Sequence, residues 1–357
     1  MCDETCLTNE EEPIEAVRDF HRIYRRITVD GRASALFGRG AEERAAKLLR
    51  QVAIKDAGQA GFYFEFPLSG EPYLDLLMQY QVRNLKPPVE FIEGDQFGFA
   101  SFFDACTRDD SLKEYICGFS LDINADLPTP SIYLLPSMAG GNVDYVPTML
   151  ERLGGGERTD KVMAAFAAAP DKWQAYYAGF MVGRPGAPTR MAFALANPKT
   201  GAYRGDVAAF ARDIETYYRT PFSAEGRAAL LTMVELANAP AIVWELQFDL
   251  YPDGTFGDGL AVEIFLADND FDARRATGYL EHGELGEIMR FIERLGLADS
   301  RWRLMEKACC GQGRILREKG KLRIVGDIIS PNVLKVRFKQ GSPCLAKGYL
   351  YAASKAL

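Results

Sequence analysis

Residues 61–81 read GFYFEFPLSGEPYLDLLMQYQ, and the alternation in this stretch decides the fold. Successive side chains of a strand point to opposite sides. Phe62, Phe64 and Phe66 therefore share one face, and Tyr63 and Glu65 share the other. Ser69-Gly70-Glu71-Pro72 supplies turn chemistry between two such runs. The stretch predicts an antiparallel hairpin over 61–81. Just before it, residues 41–57 carry Ala, Leu and Val at helical spacing.

The same exchange of periods recurs along the chain. Hairpins are predicted over 115–135, 173–196 and 241–267, with a last strand-rich stretch over 321–353. Helical patterns occupy 99–114, 146–153, 159–168, 204–218, 224–238, 271–295 and 300–308, with Gly154-Gly155-Gly156 as a stop signal. Short local turns make the strands antiparallel. Five hairpins give ten strands, and an antiparallel sheet of that size curls or closes. The expected class is α+β, a closed ten-stranded antiparallel β-barrel surrounded by α-helices in five αββα-type repeats. Two open α+β sandwiches are the competing layout. Residues 1–13 are acidic and expected to be frayed, leaving 14–357 as one domain.

Composition narrows the function. The chain has 357 residues, a formal charge of −7 and no basic stripe, which argues against a nucleic-acid partner. No apolar run approaches the roughly 20 residues of a membrane helix, and the acidic start lacks the plan of a signal peptide. A cytoplasmic protein is the default expectation. The seven cysteines, Cys2, Cys6, Cys106, Cys117, Cys309, Cys310 and Cys344, form neither a disulfide framework nor a zinc spacing. Only His21 and His282 are present, so neither a His-rich metal site nor a His-dependent triad is expected.

A helix-wrapped barrel needs an apolar outer wall, and its lumen can then carry polar groups. Alternation sorts the two sets. Phe119, Leu121 and Ile123 oppose Ser120 and Asp122. Trp244, Leu246, Phe248 and Leu250 oppose Glu245, Gln247 and Asp249. Val262, Ile264 and Leu266 oppose Glu263 and Phe265, and Leu334, Val336 and Phe338 oppose Lys335, Arg337 and Lys339. Lys347, Tyr349 and Tyr351 line up together. A half-buried sheet with its polar face in water fits this pattern as well as a polar lumen does.

The five-fold alternation, together with Phe64-Glu65-Phe66, the run 121–127 followed by Ser131, Phe248-Asp249-Leu250-Tyr251-Pro252-Asp253-Gly254 with Val262-Glu263-Ile264-Phe265, and Lys347-Gly348-Tyr349, resembles the aromatic prenyltransferases of the ABBA or PT-barrel class. The short pieces are most similar to the peptide prenyltransferases of cyanobactin-type pathways and to the indole prenyltransferases. The resemblance implies transfer of a dimethylallyl or geranyl group from an allylic diphosphate to an aromatic or otherwise nucleophilic side chain, free or within a peptide. It implies no required cofactor, with Mg²⁺ compatible with the donor. Glu65 would be the base, its pKa raised by an apolar barrel. Arg190, Lys335, Arg337, Lys347 and Tyr349 would hold the diphosphate. Tyr63, Tyr133, Phe265 and Tyr351 would shield the cation. Asp75, Asp122, Gln247, Asp249 and Glu263 would be further polar lumen residues. The sequence departs from the family where Asp75, Asn124, Ser131 or Tyr133, and Glu263 stand near positions at which bases are expected. A barrel that kept its shape but binds a cationic peptide or amine, or runs a non-prenyl reaction, is the alternative. Asp268-Asn269-Asp270-Phe271-Asp272 follows a strand and precedes a helix, and is read as an N-cap rather than a metal motif.

Overall fold

The computed structural model describes residues 14–29, 32–123, 129–136, 143–195, 203–219, 221–238, 243–266, 280–318 and 321–356. The expectations for residues 1–13, Asn124 and 268–272 lie outside these residues.

The hairpins form as β1 (Gln59–Pro67) with β2 (Asp75–Gln81), β3 (Ile116–Leu121) with β4 (Ser131–Leu135), β5 (Gln174–Phe180) with β6 (Thr189–Ala194), and β7 (Val243–Leu250) with β8 (Phe256–Phe265). Antiparallel pairs then link each hairpin to the next, from β2–β3 through β4–β5 to β6–β7. β8 joins the long strand β10 (Lys321–Lys339), β10 joins β11 (Ser342–Ala356), and β11 returns to β1. Ten strands thus close into a ring, and the open-sandwich alternative falls.

The last stretch differs from expectation. β9 (Cys310–Glu318) was not anticipated, and it pairs with the first half of β10, outside the ring. The second half of β10, from Val333 to Lys339, pairs with β8 and builds the barrel wall.

The apolar face of each strand points outward, onto helices. α1 (Glu15–Ile27) sets Phe20 against Phe62 and Phe64, with ring centroids 6.2 and 5.9 Å away. Phe37, which ends α2 (Arg32–Phe37), packs on Phe64 and Phe66, while α3 (Ala41–Val52) packs on α1. Phe103 of α4 (Ala100–Arg108) lies 5.1 Å from Phe119. α5 (Val146–Arg152) and α6 (Thr159–Ala167) follow, and Phe166 packs on Phe193. Tyr217 of α7 (Val207–Tyr218) covers Phe248, and α7 in turn packs on α8 (Ala224–Ala237). α9 (Gly283–Arg294) and α10 (Arg303–Lys307) complete the ring of helices, with Met305 facing Gly348. The main core is this interlayer between wall and helices, where Phe62, Phe64, Phe66, Leu76, Met78 and Trp244 are fully buried. Asp206 and Ser223 cap α7 and α8 by accepting from the backbone amides of Ala209 and Gly226, which fixes where these helices begin.

Candidate active site

The register places the polar face of every strand inside. Glu65 pairs with Asp75 on one side and with Tyr349 on the other, and Tyr63 pairs with Tyr351. Lys347 is opposite Lys335, Lys335 is opposite Glu263, and Glu263 is opposite Glu245. Gln247 faces Ala192, Asp249 faces Arg190, and Arg190 faces Gly179 beside Tyr133. The buried state of Glu65, Asp75, Glu245, Gln247, Glu263, Lys335 and Lys347 excludes a polar face in bulk water.

Gly118 makes room for one of these walls. A Cβ there would come within 2.0 Å of the Met78 carbonyl and 2.8 Å of the Tyr133 hydroxyl. Without it, the Tyr133 side chain lies across β3 and its hydroxyl donates to the Met78 carbonyl at 3.4 Å.

Most of the lumen bases carry their own acids. Lys347 Nζ lies 2.7 Å from Glu65 Oε1 and 2.8 Å from Asp75 Oδ2. Lys335 Nζ lies 2.7 Å from Glu263 Oε1 and donates to Gln247 Oε1 at 2.7 Å. Arg190 holds Asp249 with two bonds, at 2.9 and 3.1 Å. Asp122 meets Arg184 at 3.4 Å, where the β5–β6 turn reaches the rim. Arg337 shares the lumen register of Lys335 but is only half-buried, one step closer to the β10–β11 turn.

These pairs set the protonation states, and they correct one expectation. Burial lifts the Glu65 carboxyl, but Lys347, Lys335 and the hydrogen bond from Tyr349 more than offset it and bring its pKa to about 2. Asp75 takes the raised value instead: burial outweighs Lys347, and Glu65 adds to the rise, to about 6. Because both carboxyls share Lys347, the charge on Glu65 feeds into the titration of Asp75. Burial opposes the charges on Lys347 and Arg190, yet their carboxylate partners push both pKa values up. For Lys335 burial wins and lowers it, despite Glu263. Burial also keeps Tyr63, Tyr133, Tyr177 and Tyr349 as neutral phenols.

The lumen is polar in a directed way. Along β1, Glu65 is nearer the hairpin turn than Tyr63; along β11, Lys347 is nearer the turn than Tyr351; along β7, Asp249 is nearer than Glu245. The Lys347–Glu65–Asp75 cluster and the Arg190–Asp249 pair therefore lie toward the hairpin-turn end, whereas Lys335–Glu263 is level with Glu245. Tyrosine rings gather toward the other end, with Tyr63 4.9 Å from Tyr351 and 6.5 Å from Tyr349. Phe265 pairs with Val333 and Val243 at that same end, away from Lys347.

Two contributors were missed at the sequence level. Alternation puts Glu245 on the same face as Gln247 and Asp249 but assigns it no role, and it does not single out Tyr177. Tyr177 follows a register shift between Ala175 and Tyr177, which strict alternation does not reveal. Among the described residues no group of three or more His, Cys, Asp or Glu side chains is placed to hold a metal ion. Among them, too, no helix is long and apolar enough to cross a membrane.

No family model and no curated protein matches the chain. Among solved structures, the apo form of the prenyltransferase PriB is similar, with a TM-score of 0.46 and 15% sequence identity over 94% of this chain and 95% of that one.

Proposed function

We propose that the barrel is a prenyltransferase of the PT-barrel class, moving a dimethylallyl or geranyl group from an allylic diphosphate onto a nucleophilic side chain, aromatic or peptide-borne. The observation that carries this reading is the juxtaposition, inside one enclosed lumen, of the Lys347–Glu65–Asp75 cluster with the rings of Tyr63, Tyr349 and Tyr351. The reaction needs three things, and this wall offers candidates for each. Breaking the C–O bond leaves a diphosphate that positive charge must stabilise, for which Lys347, Lys335, Arg190 and Arg337 are the bases in reach. The allylic cation needs aromatic faces and exclusion of water, which the tyrosine end supplies. The acceptor loses a proton as its new bond forms, and Asp75, with a pKa of about 6, is the carboxyl tuned to take it.

The test is incubation with dimethylallyl and geranyl diphosphate and with Trp-, Tyr- or His-containing peptides, read by mass spectrometry. Addition of isoprene units is expected. No mass gain with any donor, together with no diphosphate binding, would overturn the reading.

A second reading has its own observation. Lys347, Lys335 and Arg190 are each already neutralised by lumen carboxylates. A barrel so neutralised suits a cationic peptide or amine better than a diphosphate. Calorimetry separates the two, because a carrier binds the cation and ignores inorganic pyrophosphate.

A further inference from the structure

One lumen carboxyl is left without a base. Glu65, Asp75, Glu263 and Asp249 each have an ion pair. Glu245 is 1% exposed and, among the described residues, no base lies within ion-pair distance of it. Its Oε1 is held firmly: Gln247 Nε2 donates to it at 2.7 Å, and the Tyr177 hydroxyl lies 3.4 Å away. Gln247 is itself fixed by Lys335. Oε2 accepts from no N–H or O–H donor among the described residues, and the Glu263 carboxyl opposite is the acid with which Glu245 shares a hydrogen bond. Two buried carboxyls side by side with one base between them are costly to ionise together, and a cationic ligand that donates to Glu245 removes that cost.

The surroundings state which ligand. Tyr177 and Tyr176 lie beside this carboxyl with ring centroids 5.6 Å apart, and Tyr63 is within electrostatic reach of it. A carboxyl bounded by phenol rings is a seat for an organic cation, which gains from both the charge and the ring faces.

We propose that Glu245 seats a positively charged N–H group of the acceptor, a guanidinium or an ammonium, at the tyrosine end of the lumen. This rests on the reading of the barrel as a transferase whose acceptor binds inside it. The groups facing Glu245 are Glu263 on β8, Lys335 on β10, Tyr176 and Tyr177 on β5, and Tyr63 on β1. Burial and then Glu263 push the Glu245 pKa well above the ordinary carboxylate range, which favours its neutral form. An arriving cation makes the ionised form the better one, so the proton leaves to the buffer. One positive charge enters and one leaves.

Calorimetry tests this without any donor, using acetylated and amidated tetrapeptides carrying one Arg or one Lys, against twins carrying citrulline or norleucine. The cationic peptides should bind about tenfold or more tightly than their twins. Titration in two buffers of different ionisation enthalpy should show about one proton released per peptide bound. The Arg and Lys arms distinguish guanidinium from ammonium. Glu245→Gln, which keeps the shape, should lose both the preference and the proton release while melting at or above the wild-type temperature. Because the release is read on the wild type, a poorly folding variant does not remove the test. Equal binding of the neutral twins, failure of every cationic peptide to bind, or a preference that survives in Glu245→Gln would overturn the proposal. Isoprene transfer to neutral acceptors that is indifferent to Glu245→Gln sinks the seat and leaves the transferase reading. Selective cation binding with no transfer does the reverse.

Discussion

Lys335 and Lys347 are register partners across the β10–β11 ladder, two bases side by side on the lumen wall. Like charges directly opposite one another are destabilising. The barrel offsets this from both flanks, with Glu263 on Lys335 and with Glu65 and Asp75 on Lys347.

Removing Lys347 leaves two buried carboxyls without a base. Lys347→Met should cost about 3–5 kcal/mol in urea unfolding. The triple variant Lys347→Met, Glu65→Gln, Asp75→Asn should recover most of the loss, because it removes the stranded acids together with their partner. A single variant as stable as wild type would mean that water, not protein, solvates the cluster.

The same cluster gives stability two opposed dependences on pH. Glu65 sits at about 2, below the ordinary 4.5, so its contribution is present above 4.5 and is lost as pH falls toward 2. Asp75 sits at about 6, above the ordinary 3.8, so its contribution is full below 3.8 and is lost as pH rises through 6. Relative to wild type, Glu65→Gln should flatten the acid limb of a melting-temperature profile, and Asp75→Asn should flatten the limb between 3.8 and 6. If Asp75 is the base of transfer, kcat/KM rises as pH rises through about 6 and falls at least a hundredfold in Asp75→Asn.

Asp249 occupies Arg190 with two bonds. Asp249→Asn should free that guanidinium and tighten pyrophosphate binding by about tenfold, read by calorimetry. Unchanged affinity would place the anion elsewhere in the lumen or nowhere in it.

Gly118 has no space for a side chain beside Met78 and Tyr133. Gly118→Val should destabilise the barrel by about 3 kcal/mol, a size typical of overpacking in a tight wall. Tyr133→Ala should relieve only part of this loss, since the backbone of Met78 stays where it is.

The barrel and its two faces were legible because period-2 alternation assigns a side to each residue of β1, β3, β7 and β8 without reference to distant strands. Phe64 out and Glu65 in followed directly. α1 was overlooked because its apolar residues sit among six charged ones at close spacing, Glu15, Arg18, Asp19, Arg22, Arg25 and Arg26. β9 was missed because it lies outside the ring, where the five-hairpin count gave it no place. The ion pairs were illegible for a different reason. Lys347 reaches Glu65 and Asp75 only because strands 272 residues apart in sequence meet when the ring shuts. The lowered pKa of Glu65 follows from that meeting, so no local pattern could announce it.

The seam of the ring lies between β1 and β11. Lys347, Tyr349 and Tyr351 all belong to one strand, Ser342–Ala356, which pairs with β10 on one side and β1 on the other. That one strand is therefore both the back wall of the pocket and the source of the counter-ion for Glu65 and Asp75. Displacing β11 would open the ring and strand both acids at once, so closure and charge balance are secured by the same ladder of backbone bonds.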